Sequence, residues 1–232
     1  MQPDISKKAN SVQKIIYSIG LLLTLFTISG YLNRAKFQNG NDRSYPSTAI
    51  DNYTPNLNGT APLAMKGGDP YIRALMRTIS ASEANVTRPY NAIYGNKIVE
   101  DLKTHPEICV AIVAGPNIGN CTTAAGRYQM LNFTWEEKAR QYHPHPAGFW
   151  QWKTYSFEPE YQDEVVYHWL SDRSAWDEDI PQLLQQGKIN KVLSLLSNTW
   201  TSLGYGIETN SMSGYLPKIY QNMLRQELAD SS

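Results

Sequence analysis

Glu83 is the first residue whose type and position point to chemistry. Ile72, Leu75, Met76 and Ile79 follow helical spacing and mark one apolar face, and Glu83 continues that stripe. A carboxyl group projecting from a core-facing stripe at a helix end stands where an interior can open into a cleft. Desolvation there disfavours the ionised form, and a carboxyl that keeps its proton near neutral pH can serve as a general acid. The competing reading is a solvated or capping glutamate. Nearby in sequence, Glu100 and Asp101 are the candidates for a second carboxyl, and they also read as exposed charges at the end of a hairpin.

A second cluster lies at Thr122-Thr123-Ala124-Ala125-Gly126-Arg127-Tyr128-Gln129-Met130-Leu131. Its small residues let a ligand approach the backbone. Arg127 and Gln129 offer hydrogen bonds to hydroxyl and acetamido groups, and Tyr128 offers a ring, so the stretch suits a sugar-binding wall. A turn with a buried Arg bracing a helix fits the same residues. Tyr205, between Gly204 and Gly206, is a further ring that a flexible turn can bring to a cleft, whereas Trp200 reads as core.

These side chains need elements to place them. Asp69-Pro70 starts a helix, because Asp69 can accept from unpaired first-turn amides and Pro70 has no amide to leave unpaired. Gly95-Asn96, between Tyr90–Tyr94 and Lys97–Val99, tolerates the positive φ of a tight two-residue hairpin. Ile108 to Ala114 and Thr122 to Leu131 read as further strands or extended chain. Thr134-Trp135-Glu136-Glu137 has capping-box spacing. Tyr161, Val165 and Trp169 mark a helix after Pro159, and Ile189, Val192, Leu193 and Leu196 mark another after Gly187 ends its predecessor. A last helix is expected over residues 213–229, with Pro217 in its first turn.

Composition bounds the rest. The 232 residues carry 21 Lys plus Arg against 21 Asp plus Glu, which leaves no broad basic field for nucleic acid. The four histidines show no ligand spacing with the thiols, so neither a metal nor another cofactor is implied. Cys109 and Cys121 flank a run that turns the chain, and read either as a disulfide worth about 2–3 kcal/mol or as two buried thiols. Residues 15–32 (IIYSIGLLLTLFTISGYL) are 18 positions without a charge. At about 1.5 Å per residue they just suffice to cross a bilayer. The expected organisation is a cytoplasmic N-terminus over 1–14, an anchor or uncleaved signal over 15–32, a flexible polar spacer over 33–68 and one folded domain over 69–232.

Over most of residues 71–224 the chain resembles the phage lambda lysozyme type of peptidoglycan-cleaving enzyme. The resemblance rests on Ser82-Glu83, Tyr90-Asn91-Ala92-Ile93 with Gly95, His105-Pro106, Ala125-Gly126-Arg127-Tyr128-Gln129 and Ser197-Asn198-Thr199-Trp200-Thr201-Ser202-Leu203, in the family's order. It implies an α+β lysozyme-like fold, mainly helical with a small β wing. It also implies that Glu83 matches the family's catalytic glutamate and that Gly126 to Gln129 help form a glycan cleft. Ser82, Asn91 and Tyr94 join Arg127, Tyr128, Gln129 and Tyr205 as substrate-binding candidates. Departures fall at Ala81 and Ala84, where the family often carries Trp and Gly, and at Asn91, where an Asp is found. The implied reaction is lytic transglycosylation of peptidoglycan glycan strands. With the uncharged run at residues 15–32 the expectation is a monomeric, single-pass protein of the cytoplasmic membrane, and that substrate puts its catalytic domain on the periplasmic or otherwise extracytoplasmic side.

Overall fold

The computed structural model describes residues 60–113, 117–145, 154–205 and 212–231. The segments 1–14 and 15–32, and the spacer up to residue 59, lie outside the described residues.

Helix α1, Pro70–Glu83, is the element on which the domain is built. Asp69 caps it as expected, its Oδ1 accepting from the amides of Tyr71 and Ile72 at 2.8 and 3.2 Å. Ile72, Leu75, Met76 and Ile79 have no exposed surface, so the stripe read from the sequence is the buried face. That face packs most extensively against α6, Leu216–Asp230, through Ile219, Tyr220 and Met223. The two helices are also joined by Glu227 of α6, buried to 3% exposure, which accepts from Arg73 and Arg77 of α1. A carboxylate so deeply buried is tolerated because two guanidinium groups offset its desolvation.

Between these helices the described residues form a small β wing and four more α-helices. Strands β1, Ala92–Ile93, and β2, Lys97–Ile98, pair antiparallel with Ile93 opposite Lys97. The connection is therefore three residues, Tyr94-Gly95-Asn96, rather than the expected two; Gly95 and Asn96 do take positive φ, 76° and 60°. Strands β3, Val110–Ala111, and β4, Cys121–Thr122, form a second ladder, closed by the Cys109–Cys121 disulfide with its Cα atoms 5.4 Å apart. Most of the stretch expected to be extended after Thr122 is instead a tight turn pinned by the bridge between Ala125 and Met130.

The later helices are α2, Asn132–Tyr142, α3, Pro159–Ser171, α4, Ile180–Gln185, and α5, Ile189–Leu196. Gly187 breaks the chain between α4 and α5 at φ 71°, as its position implied. The capping box at Thr134 does not form. Helix α2 begins two residues earlier, and the amide of Asn132 donates to Thr123 across the turn instead, so a tertiary contact replaces the local one.

The boundary of the folded domain also moves. Residues 60–68, assigned above to the spacer, lie against the domain as a strap: Leu63 and Met65 are buried, and the strap's backbone is held by charged side chains. Arg77 donates to the Thr60 carbonyl at 2.7 Å, and Arg73 to the Gly67 carbonyl at 2.9 Å. A polar composition concealed this, because the atoms recognised are main-chain ones that any sequence supplies.

Candidate active site

Where α1 ends, the core opens into a cleft of about 510 Å³. Half-buried Glu83 forms one wall, and the turn after β1, with Tyr94, Gly95 and Asn96, forms another. Gln129, Met130 and Leu131 border it ahead of α2, whose Thr134 also faces in, and Thr199 and Thr201 line it after α5. Trp169 and Trp200, 5% and 4% exposed, contribute to its floor with ring centroids 5.3 Å apart. Aromatic surface beside threonine hydroxyls and amides suits a ligand with apolar faces and a polar rim, as a sugar ring has. Among the described residues lining the cleft, Glu83 is the only carboxylate.

Glu83 is held in position from a distant part of the chain. The hydroxyl of Ser202, in the 3₁₀ turn Thr201–Leu203, donates to its Oε1. Ser82, expected to touch substrate, lies within 2.9 Å of the Ser202 carbonyl oxygen and 2.8 Å of its hydroxyl, so it supports that turn. The carbonyl of Ser202 accepts again from Ser213, at 2.8 Å.

The Gly126 to Gln129 turn divides its side chains between two environments. Gln129 lines the cleft, its Nε2 donating to the Gly126 carbonyl at 2.9 Å. Arg127 and Tyr128 point the other way, with 0% and 1% exposure. Arg127 donates to the carbonyls of Ala61 and Pro62, to Thr60 and to the Tyr90 hydroxyl, so it holds the strap rather than a glycan. The Tyr128 hydroxyl donates to Asp163 of α3 at 2.6 Å. Asp163 accepts in addition from Tyr90 and from the amides of Ala64 and Met65. Burial pushes the Asp163 carboxyl above its ordinary range, against the pull of the neighbouring Arg127 charge and these donors; it pushes the Tyr128 and Tyr90 hydroxyls up as well. Gly126 makes the turn possible: it sits at φ 74°, and a Cβ there would run into Gln162 and Phe157. Of the two readings of this segment, the brace describes Arg127 and Tyr128, and the cleft wall describes Gln129.

The remaining candidates separate in the same manner. Tyr94 is at the cleft. Asn91 is turned to the hairpin, its side-chain amide donating to the Val99 carbonyl at 2.8 Å. Tyr205 is 52% exposed and donates to Asn190, outside the cleft lining. Glu100 pairs on the surface with Arg88 at 2.6 Å and, with Asp101, borders a separate depression. Sequence reasoning did not assign Ser202, Thr134 or Trp169 to the site. Ser202 stands in the motif Ser197 to Leu203, but no spacing signal connects it with Glu83. Trp169 belongs to the apolar stripe of its helix and is nearly completely buried, yet it reaches the cleft.

A mainly helical α+β domain with a small β wing is lysozyme-like in its fold, and the comparisons agree. A family model described as Endolysin matches residues 73–225, and the chain belongs to that family. The endolysin of Escherichia phage lambda is 30% identical over 120 residues, a stretch that covers 50% of this chain and 64% of that relative, less than two thirds of its length. Among solved structures, bacteriophage lambda lysozyme complexed with a chitohexasaccharide aligns with a TM-score of 0.51 at 26% identity, over 68% of this chain and 97% of that one. A second structure, lysozyme from bacteriophage lambda, shares the fold with a TM-score of 0.50 at 22% identity, over 70% and 97% of the two chains.

The expected location is corrected by these findings. The relative is a phage endolysin, and no helix among the described residues is long and apolar enough to cross a membrane. Residues 15–32, which carried the expectation of a single-pass protein of the cytoplasmic membrane, lie outside the described residues.

Proposed function

We propose that this chain cleaves the glycan strands of peptidoglycan between N-acetylmuramic acid and N-acetylglucosamine by lytic transglycosylation, with Glu83 as acid and then base. The observation that carries the reading is the lone carboxylate of the cleft: Glu83 lines it, and no other described lining residue is acidic. Membership of the endolysin family supports the substrate class, and so does the chitohexasaccharide bound by the lambda lysozyme that this fold resembles.

The chemistry follows from having one carboxyl group. Protonated Glu83 donates to the glycosidic oxygen as the bond to C1 of the muramic residue breaks. The resulting carboxylate then takes the proton of that residue's C6 hydroxyl, whose oxygen bonds to C1 and closes a 1,6-anhydro ring. Glu83 is left protonated again, and no water is consumed. Hydrolysis by paired carboxyls needs a second group at roughly 5–9.5 Å, as nucleophile or as base for a water. Glu100 and Asp101 serve a different surface depression.

Digestion of purified peptidoglycan by the full chain, with mass spectrometry of the products, tests both halves of the proposal. Anhydromuramic ends are expected, and Glu83→Gln should lower the rate by roughly 10²–10⁴-fold, the usual worth of a positioned general acid. Reducing ends from the unaltered protein would replace transglycosylation with hydrolysis. Undiminished cleavage by the variant would remove Glu83 from the chemistry, and binding without cleavage by the unaltered protein would mark a wall-binding module.

A further inference from the structure

Ser202 is not adjacent to Glu83 in sequence, yet its hydroxyl is bonded to the carboxyl oxygen Oε1. Three features fix it there. Its carbonyl oxygen accepts from Ser82 at 2.9 Å and from Ser213 at 2.8 Å, so two other elements hold its backbone. Next to it, Leu203 is fully buried, and on the other side the indole of Trp200 donates to the Tyr128 carbonyl at 3.0 Å. Finally, the Ser82 hydroxyl is 2.8 Å from the Ser202 hydroxyl oxygen, so when it donates there the Ser202 proton is directed outward to Glu83.

We infer that Ser202 is a positioning residue for the acid, and that Ser82 sets the direction of its hydrogen bond; the inference rests on the role proposed above for Glu83. A carboxyl acting first as acid and then as base must return the proton through an oxygen that faces the substrate. The Ser202 hydroxyl fixes Oε1, and with it the plane of the carboxyl group that gives its proton to the glycosidic oxygen and takes back the proton of the C6 hydroxyl. The same bond restrains rotation of the Glu83 side chain between the two steps. Rotamer freedom at the edge of an open cleft is costly to a reacting group, because misplacement by about 1 Å can cost on the order of 10²-fold in rate. Ser202 touches no reacting atom in this scheme. Its effect falls on the chemical step and leaves sugar binding alone.

The test is the steady-state kinetics of the full chain on purified glycan strands, with thermal unfolding recorded for each variant. Ser202→Ala is expected to lower kcat roughly 10–100-fold with KM within about twofold of the unaltered protein. Ser202→Thr keeps a hydroxyl on the same carbon and is expected to recover most of that loss. Ser82→Ala removes the directing partner and is expected to lower kcat by a smaller factor, roughly 3–10-fold, again without a change in KM. A kcat for Ser202→Ala within about twofold of the unaltered value overturns the inference. So does a loss confined to KM, or a kcat for Ser202→Thr as low as for Ser202→Ala in a protein that unfolds at the same temperature. If Ser202→Ala does not fold, Ser82→Ala decides alone: an unchanged kcat overturns the inference. Glu83→Gln separates the two claims. An inactive Glu83→Gln beside a fully active Ser202→Ala rejects the positioning role and keeps the acid, whereas a fully active Glu83→Gln rejects the acid itself.

Discussion

Two polar clusters lie on either side of the Gly126 to Gln129 turn, and they differ in what completes them. Behind the turn, Arg127, Asp163, Tyr90 and Tyr128 are joined to one another and to the strap at residues 60–65. In front of it, Glu83, Ser202 and Ser82 form a chain at the wall of an open cleft. The first cluster uses charge to hold the fold, and its members are engaged with protein. The second leaves its carboxyl group beside a volume of about 510 Å³ that a ligand can fill. The difference teaches that buried charge alone does not mark an active site. Asp163 is the more deeply buried acid and its carboxyl is pushed upward, yet it is the half-buried Glu83 that faces the cleft.

The sharpest way to break this comparison is Arg127→Ala. It removes the donors to the Ala61 and Pro62 carbonyls and to the Tyr90 hydroxyl, and the positive charge that neighbours Asp163; each buried group left without its partner costs about 1–3 kcal/mol. Urea unfolding should register the loss, while KM measured on the remaining folded protein should not move. A raised KM at unchanged stability would put Arg127 back in the glycan cleft. Glu83→Gln should do the converse, lowering turnover by roughly 10²–10⁴-fold with little change in unfolding.

A smaller effect is expected at the β3–β4 ladder. Cys109→Ser together with Cys121→Ser opens a loop with a sequence separation of 12 and should cost about 2–3 kcal/mol, read from thermal unfolding with and without reductant. Reductant should lower the midpoint of the unaltered protein and leave the double variant unaffected.

The smallest effect is one of pH. His105 is bonded at both ring nitrogens: its Nε2 donates to the Met130 carbonyl, and its Nδ1 accepts from the Glu107 amide, so the neutral ring is the one that fits. Burial holds its pKa below the ordinary value, and the same holds for His143. The unfolded chain therefore binds these protons first as pH falls. Stability should be fully present above the unfolded value near 6.5, decline as pH drops through it, and level off below the depressed folded value. Asp163 works in the opposite direction: its raised pKa lets the folded state take up its proton first, so its contribution grows as pH falls from the raised folded value to the ordinary unfolded one. Unfolding midpoints at pH 7.5 and 5.5 should show the decline, and His105→Asn should flatten it.

Much of this architecture was legible because it is local. The Asp69 cap, the Ile72 to Ile79 stripe, the break at Gly187 and the final helix each follow from residues within a few positions of one another. The small β wing was legible from Gly95-Asn96, although its loop gained a residue. What could not be read was direction and distance. Whether Arg127 or Gln129 faces the cleft depends on positive φ at both Gly126 and Gln129, 74° and 45°, and a polar side chain in a tight turn carries no periodicity to reveal its side. The bond from Ser202 to Glu83 is a meeting of two remote segments, for which single-sequence spacing holds no signal. At α2 the sequence offered a local cap at Thr134, and a contact with Thr123 across the turn replaced it.

The strap has a practical consequence for anyone who would cut or fuse this protein. Its hold on the domain runs largely through carbonyl and amide groups of residues 60–67, recognised by Arg73, Arg77, Arg127 and Asp163. Side-chain replacements at Ala61, Pro62, Ala64 and Lys66 should be well tolerated; Leu63 and Met65 are buried, the Thr60 hydroxyl bonds Arg77 and Arg127, and Gly67 and Gly68 sit at positive φ. Deletion should not be tolerated. A truncated protein beginning at Asp69 would expose the guanidinium and carboxyl groups that now grip that backbone, so tags and fused partners belong ahead of Thr60.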